Sequence, residues 1–511
     1  MKNKIKNLIQ VDSKIQAGDM DKIDKQHKSN KLTARERINL LFDAGSFMEM
    51  DKFAGSCAGA AITDKDLTAD AVVTGYGTVD GRLVFAYAQD YTVAGGAISK
   101  KHAEKIAKLQ DMALKMGAPI ISFIDSNGGR IEEGIDTLAA YANIIQKHTI
   151  LSGLIPQISV IAGPCMGSAV FIPAMADFVF MVNGTSSMFL NGPQLIKANS
   201  KVDISQEELG GALTNNSISG TAHFAFDSEE ETIAKVKELI SFLPSNNLED
   251  APMYESYDDI NRVEDRLNEI IPSNNEPYDM KKIIELIADD GYFFEVMQRF
   301  AENIITGFIR LYGKTIGVVA NQPKVNDGLL NIDACNKAAR FIRTCNAFNI
   351  PLLNLVDVAS FEVSKLEEHG GIIRHGAKLI YAYAEATVPK VTLVIKKAYG
   401  SAFLAMCSKD LGADLVFAWP SAQISVLAPE GAANILYKGE IASSQDPIAM
   451  RKEKIQEYID QVANPYVAAN MGYVDDIIYP STTRPRLISA FDMLGTKREI
   501  RPAKKHGNMP V

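Results

Sequence analysis

Four short turns in this chain gather the residue types that stabilise a developing negative oxygen. They are Asp125-Ser126-Asn127-Gly128-Gly129, Gly163–Ala169, Val358-Ala359-Ser360 and Ala398-Tyr399-Gly400-Ser401-Ala402, each closing a strand-like apolar run and opening a helical pattern. A helix start carries unpaired backbone N–H groups and a partial positive charge, and small side chains let a ligand come close to them. Preorganised amides of this kind supply roughly 3–4 kcal/mol per donor to a transition state that builds charge on oxygen. The enolate of a thioester is such an oxygen. Strand-to-helix turns in α/β proteins are also glycine-rich for packing alone. Repetition of the device in both halves of the chain favours chemistry.

Other chemistries lack their residues. The seven histidines show neither H-x-x-x-H nor H-E-x-x-H spacing, so no metal site is expected. No G-x-x-x-x-G-K-[ST] stretch occurs, and Gly75-Tyr76-Gly77 falls within a hairpin, which argues against ATP or a dinucleotide. Gly167-Ser168-Ala169 and Gly400-Ser401-Ala402 are fragments of a nucleophile elbow without its full G-x-S-x-G frame, leaving a serine hydrolase as a weak alternative. Cys57, Cys165, Cys335, Cys345 and Cys407 stand singly, which supports neither a disulfide framework nor a zinc module. A net charge of −9 argues against nucleic acid as a partner. The charged N-terminus has no apolar core of a secretory signal, and no apolar run approaches membrane-spanning length, so a cytoplasmic protein is expected, with any membrane contact made through a partner.

The elements that must hold these turns repeat along the chain. VVTGYGTVDGRLVFAYAQD around Gly75 alternates as a β-hairpin about Val79-Asp80-Gly81, and IITGFIRLYGKTIGVVANQ around Gly307 does the same 232 residues later. A helical stretch Ala103–Met116 leads into APIISFID, ending at Asp125; Asn336–Phe348 leads into IPLLNLVD, ending at Asp357, again 232 residues on. IPQISVIAGPCMGSA and VPKVTLVIKKAYGSA match at an offset of 233. Each half therefore reads as a layered α/β domain. The expected organisation is an N-terminal domain over 1–245, an Asn-, Pro- and acid-rich linker over 246–279 and a C-terminal domain over 280–511. Residues 1–30 read as a polar helical arm, and Thr33-Ala34-Arg35-Glu36 as a capping-box start to a surface helix Arg35–Phe42.

Beyond these patterns, long strings are identifiable: KLTARERINLLFD, VVTGYGTVDGR, IPQISVIAGPC, ISGTAHFA, ANQPKV, GGIIRHGAKLIYAYAEATVPK, LGADLVFAWPSAQI, NPYVAA and the terminal RPAKKHGNMPV. Through them the chain resembles the carboxyltransferase subunits of propionyl-CoA carboxylase and methylmalonyl-CoA decarboxylase, while FLPSNNLEDAP and FLAMCSKDLGAD look nearer to the decarboxylase members. The resemblance implies an α/β fold of two duplicated crotonase-like (ClpP/crotonase superfold) domains, assembled as a homo-hexamer with each active site between an N-domain and the C-domain of another subunit. It implies a coenzyme A thioester as substrate and biotin as cofactor on a separate biotin carboxyl carrier protein, with a biotin carboxylase or a membrane decarboxylase subunit as further partner. The acyl-CoA would sit on the N-domain and carboxybiotin on the C-domain, the biotin ureide itself deprotonating the acyl α-carbon. Ala113-Leu114-Lys115-Met116 resembles the Met-Lys-Met signature of a biotinylated lysine, but it ends an amphipathic helix just before a buried strand, so a structural role is expected.

By motif match, the first pair of oxyanion amides falls on Asn127 and Gly128 and the second on Ser401 and Ala402, and the residues leave open which pair faces the thioester. Gly129, Gly167, Ser168, Ala359, Ser360, Phe361 and Gly400 would bind around them, and Leu404 matches a position lining the acyl pocket. The chain departs from the family at these turns: S-G-G-A-R appears as Ser126–Arg130, A-G-G as Met166-Gly167-Ser168, G-G-A as Gly400-Ser401-Ala402, and D-x-P-G-F as Asp357–Phe361. Loss of Pro and Gly from the last would reshape a turn that needs φ > 0. The decarboxylase-like strings imply methylmalonyl-CoA as the carboxyl donor and propionyl-CoA as the product. A crotonase-type thioester hydrolase or isomerase, and a non-catalytic scaffold subunit, are the competing readings.

Overall fold

The computed structural model describes residues 1–55, 69–272 and 276–510, and Cys57 lies outside them. The chain divides into two compact units, Met1–Glu249 and Asp250–Val511.

In the first unit the hairpin β2 (Val72–Val79) and β3 (Arg82–Gln89) is joined by Asp80 and Gly81 with φ of +49° and +75°, the left-handed pair that matches the twist of a two-residue hairpin. On one side β2 pairs antiparallel with β1 (Met48–Met50). On the other, β3 runs parallel to β4 (Ile120–Ile124), followed by β5 (Gln157–Ile161), β7 (Phe178–Val182) and β9 (Phe224–Phe226), making a seven-stranded sheet among the described residues. A separate ribbon pairs β6 (Pro164–Met166) with β8 (Ser187–Phe189). Both β4 and β5 are buried along their whole length, as strands covered on two faces must be. Helices Lys100–Met116 and Ile135–Leu151 cover one face and share a core with Phe85, Ile124 and Ile161.

The second unit repeats this plan. Hairpin β11 (Ile304–Leu311) and β12 (Lys314–Asn321) turns on Tyr312 and Gly313, both at positive φ, pairs outward with β10 (Phe294–Val296) and inward with parallel β13 (Leu352–Val358) and β14 (Lys390–Tyr399). Beyond β14 come β15 (Leu415–Ala418) and β17 (Asp476–Ile477), with β16 (Gln423–Ser425) on the end of β14. Repetition reaches single hydrogen bonds. Lys105 donates to the carbonyls of Ala69 and Val72, and Lys337, 232 residues on, donates to those of Phe300, Ala301 and Ile304. The side-chain oxygen of Gln89 accepts from the Asp125 N–H at 3.1 Å, and that of Asn321 accepts from the Asp357 N–H at 3.3 Å. A buried polar group costs free energy unless partnered, so each pairing was kept or replaced in kind.

Three expectations change. The arm forms helices Lys2–Ala17 and Met20–Lys28, and Thr33 and Glu36 close a reciprocal capping box; the helix they start, Ala34–Leu41, keeps Asn39 and Leu40 exposed but buries Ala34, Ile38, Leu41 and the charged Arg37. Thr33 and Glu36 report a helix start; they carry no information on what its second turn meets. The acidic stretch read as a linker packs onto the second unit from Asp250 onward, with Leu267 and Tyr278 in its core. Its apolar residues are spaced for irregular chain, which periodicity does not detect. Finally, the turns Asp125–Gly129 and Val358–Ser360 do not open α-helices directly: the first runs through Arg130 into a short 3-10 turn, Ile131–Glu133, and the next α-helices begin at Ile135 and Lys365.

His102, in the first turn of Lys100–Met116, is fully buried, and burial lowers its pKa to about 3 against the opposing pull of Asp70. Between pH 3 and 6.5 the unfolded chain binds a proton there that the folded chain does not, so stability falls as pH falls through that window. At pH 5 the loss amounts to about 2 kcal/mol. Urea melts at pH 7 and pH 5 are expected to show His102→Gln losing about 2 kcal/mol less than the parent chain; equal losses would refute the assignment.

Candidate active site

In the first unit, the turns that leave β4 and β5 meet. Asp125–Arg130 runs beside Val93–Ile98: the Ile98 N–H donates to the Gly128 carbonyl at 2.8 Å and the Arg130 N–H to the Ile98 carbonyl at 3.0 Å, forming a bridge between Ile98 and Gly129. Gly128 has φ +103°, a conformation side chains rarely adopt. From β6, Gly167 at φ +63° starts a 3-10 turn, Gly167–Val170. Between these turns lies a cavity of about 550 Å³ lined by Asn127, Gly128, Gly129, Gly167 and Ser168, with Leu138, Tyr141, Phe189 and Leu190 as its apolar wall. Arg130 is the charged residue lining it, and the buried Asp70 ion-pairs with its guanidinium.

Where each amide donates decides which can hold an oxyanion. The Asn127 N–H donates to the Gly95 carbonyl at 3.0 Å, and the Gly128 N–H to Ser126 Oγ at 3.1 Å. Both candidate catalytic amides of this turn therefore have partners within the chain. No hydrogen bond among the described residues engages the Gly129 N–H. Gly167 and Ser168 open their 3-10 turn, so neither N–H has a partner within it. Among the described residues, the amides left without a partner along this cavity include those of Gly129, Gly167 and Ser168. The side chain of Asn127 ties the turn to Tyr91, two residues ahead of Val93, since its amide exchanges hydrogen bonds with the Tyr91 hydroxyl at 3.1 and 3.3 Å.

Asp125, at the root of the turn, is fully buried and saturated. Lys31 Nζ lies 2.6 Å from Oδ1, while Gln26 Nε2 donates to Oδ2 at 2.9 Å and the Arg37 guanidinium lies 3.0 Å from that oxygen. Arg37 also grips Glu229 with Nε at 2.5 Å and a terminal nitrogen at 2.9 Å. Burial opposes the charge on Arg37, but Asp125 and Glu229 outweigh it and hold its pKa above the ordinary arginine value. For Lys31 burial prevails, lowering its pKa in spite of Asp125.

The second unit carries the same backbone device on different side chains. Leu330 bridges Phe361 as Ile98 bridges Gly129: the Leu330 N–H donates to the Ser360 carbonyl at 3.3 Å and the Glu362 N–H to the Leu330 carbonyl at 2.9 Å. Among the described residues no hydrogen bond engages the Phe361 N–H. Gly400, at φ +55°, opens the helix Gly400–Ala405 straight from β14, so Gly400, Ser401 and Ala402 present first-turn amides. Ser401 is exposed, Ala402 is buried, and Leu404 is 44% exposed on the outer side of that helix. Ala359, Ser360 and Phe361 all keep negative φ, so the missing Pro and Gly do not force the turn out of shape. Asp357, counterpart of Asp125, is held by the Tyr278 hydroxyl at 2.8 Å and the Lys397 N–H at 3.0 Å; burial raises its pKa against those bonds. In place of Arg130 stands Glu362, accepting from Asn326 at 2.8 Å.

Two α/β units, each presenting unpartnered amides at the ends of parallel strands, form a duplicated architecture of the crotonase-like class. Residues 25–509 match the family model described as carboxyl transferase domain, and the chain belongs to that family. It is 51% identical over 511 residues, 99% of each chain, to methylmalonyl-CoA decarboxylase subunit alpha of Propionigenium modestum. Over 97% of this chain and 96% of the relative it is 50% identical to the propionyl-CoA carboxylase beta chain of Cereibacter sphaeroides. A crystal structure of transcarboxylase 12S, a hexamer with methylmalonyl-CoA bound, superposes with a TM-score of 0.96 at 45% identity, covering 100% of this chain and 98% of that one. Among the described residues no helix is long and apolar enough to cross a membrane, and no group of three potential metal ligands occurs.

Proposed function

We propose that this protein moves a carboxyl group from methylmalonyl-CoA to biotin held on a separate carrier protein, leaving propionyl-CoA. The observation that carries the reading is the cavity of about 550 Å³ in the first unit, with the Gly129, Gly167 and Ser168 amides on one wall and Leu138 and Leu190 on another. A thioester oxygen set among those amides receives the electrons of the breaking C–C bond as the carboxyl departs, and the donors hold that charge as enolate. The apolar wall suits a methyl branch, and Arg130 gives the cavity a cation toward which an acyl carboxylate is drawn.

The second unit fits a partner that also develops charge on oxygen. Phe361, Gly400 and Ser401 offer the same unspent amides, with exposed Leu404 beside them as an apolar contact, and Ala359 and Ser360 shape the adjoining turn. A ureido carbonyl is a suitable acceptor for them. Bound there, biotin would supply the nitrogen that accepts the carboxyl group. Relatives named as alpha subunit and beta chain, and the hexamer formed by transcarboxylase 12S, support a homo-hexamer serving a biotin carrier together with a biotin carboxylase or a membrane decarboxylase subunit. Direction follows from that partner, because enolate chemistry is reversible.

The test is purified chain with methylmalonyl-CoA, with and without free biotin, with products separated by chromatography. Propionyl-CoA that appears only with biotin is the expected outcome. Free coenzyme A formed without biotin would identify a thioester hydrolase instead, and no turnover a scaffold. Malonyl-CoA is expected to react more slowly, because it leaves the apolar wall at Leu138 and Leu190 unfilled, and one methyl group there is worth about 1–3 kcal/mol.

A further inference from the structure

Lys31 does not line the cavity, yet it touches the supports of both turns that do. It lies in the stretch between the arm helix Met20–Lys28 and the capping box at Thr33, and only 9% of it is exposed. Its ammonium ion-pairs with Asp125 at 2.6 Å, at the root of the turn that carries Gly129. The same ammonium stands 4.5 Å over the Tyr91 ring, whose hydroxyl holds the Asn127 side chain at the tip of that turn. It also abuts the second turn: a Cβ on Gly163 would lie 2.6 Å from Lys31 Nζ and would overlap Asp125. One cation thus reaches the root of the first turn, its tip through an aromatic ring, and the start of the chain that leads to Gly167 and Ser168.

We infer that Lys31 is a positioning residue for carboxyl transfer, fixing the spacing between the Gly129 amide and the Gly167 and Ser168 amides without meeting the substrate. The inference rests on those three amides being the oxyanion donors. A charge in this place suits that role because it acts on three neighbours at once from a buried, packed position. A cation over a ring and a cation beside a carboxylate both hold geometry more tightly than apolar contact alone. Arg37 secures Asp125 from the other side and could maintain the fold when Lys31 is replaced. That separates a positioning role from a merely structural one. Burial lowers the Lys31 pKa, in keeping with a group held for its contacts rather than left in solvent.

The test uses the full chain carrying Lys31→Met, Tyr91→Phe or both, assayed with methylmalonyl-CoA and free biotin and followed by hydrogen exchange over residues 125–130. Lys31→Met is expected to lower kcat by about 10–100-fold while KM for the acyl-CoA changes less than about threefold, since donors displaced by a fraction of an ångström fail the transition state before they fail the ground state. Exchange in the turn should rise. Tyr91→Phe keeps the ring under Lys31 and removes only the hydroxyl on Asn127; it is expected to lower kcat by about 3–10-fold and to add less than its full effect to Lys31→Met. Unchanged exchange with unchanged kcat in both single variants overturns the inference. Raised exchange with unchanged kcat would leave Lys31 holding the turn and overturn the donor assignment instead. Should Lys31→Met fail to fold, Tyr91→Phe decides alone: full activity in that variant counts against the inference.

Discussion

Replacing Ser401 by proline should lower kcat for carboxyl transfer by roughly 100–1000-fold while the melting temperature stays nearly constant. Ser401 is the second residue of the helix Gly400–Ala405, and an N–H in that turn has no carbonyl to meet within the helix. Proline is accepted in the first helical turn because its fixed φ suits the helix and the donor it lacks is one the helix does not use. Gly400 precedes it and adds no Cβ to crowd the ring. The substitution therefore removes the backbone donor together with the exposed Ser401 hydroxyl, and Ser401→Ala, which removes only the hydroxyl, is its control. A single preorganised donor to an oxyanion is worth roughly 3–4 kcal/mol in a water-poor site, which is the stated loss in rate. Ser168→Pro performs the same operation in the 3-10 turn Gly167–Val170 of the first unit. The pair also resolves which unit serves which reactant: the variant facing the acyl group should bind a stable enolate analogue of the acyl-CoA more weakly, and the other should not. Steady-state kinetics beside a thermal melt provide the check. If kcat survives in both variants, these amides are not the donors.

Arg37→Met is the second large expectation, and it falls on stability. The guanidinium is fully buried between Asp125 and Glu229, also buried, and removing it leaves two carboxylates facing each other with Lys31 and Gln26 as the remaining partners of the first. Breaking a buried ion pair from one side costs about 3–5 kcal/mol, because the stranded charge has lost its solvent without regaining a counter-charge. For a unit of this size the melting temperature should fall on the order of 10 °C. Adding Glu229→Gln relieves part of the damage, so the double variant should lose clearly less than the two single losses together. Circular dichroism melts of the four chains measure this directly. Additive losses would mean that Arg37 and Glu229 are not coupled, and that reading of the ion cluster would be wrong.

The sequence carried the duplication plainly. Apolar and polar residues alternate through both hairpins, and buried parallel strands are continuous apolar runs, so β2, β3 and β4 and their partners β11, β12 and β13 were visible from the residue pattern alone. The same reasoning placed the glycine-rich turns, because left-handed φ at Gly128, Gly167 and Gly400 leaves a mark in residue type. The long identifiable strings pointed to the carboxyl transferase family, to which the family model and the relatives assign the chain.

Which amide in a turn is available was decided only by tertiary structure. Asn127 and Gly128 have the right residue types in the right place, but Val93–Ile98, packed beside them, supplies the Gly95 carbonyl that takes the Asn127 N–H, and Ser126 folds back on the Gly128 N–H. Backbone donors are alike in every residue, and nothing in a one-dimensional string says which of three neighbouring N–H groups meets a carbonyl. The cation cluster was equally hidden: Gln26, Lys31 and Arg37 look like an ordinary polar arm and surface helix until the fold brings them to Asp125, about 90 residues or more away along the chain. Periodicity reports which face of an element is apolar. A charged residue buried by its counter-charge breaks that rule, so Arg37 and Lys31 were legible as charges and became supports of the site only where distant carboxylates met them.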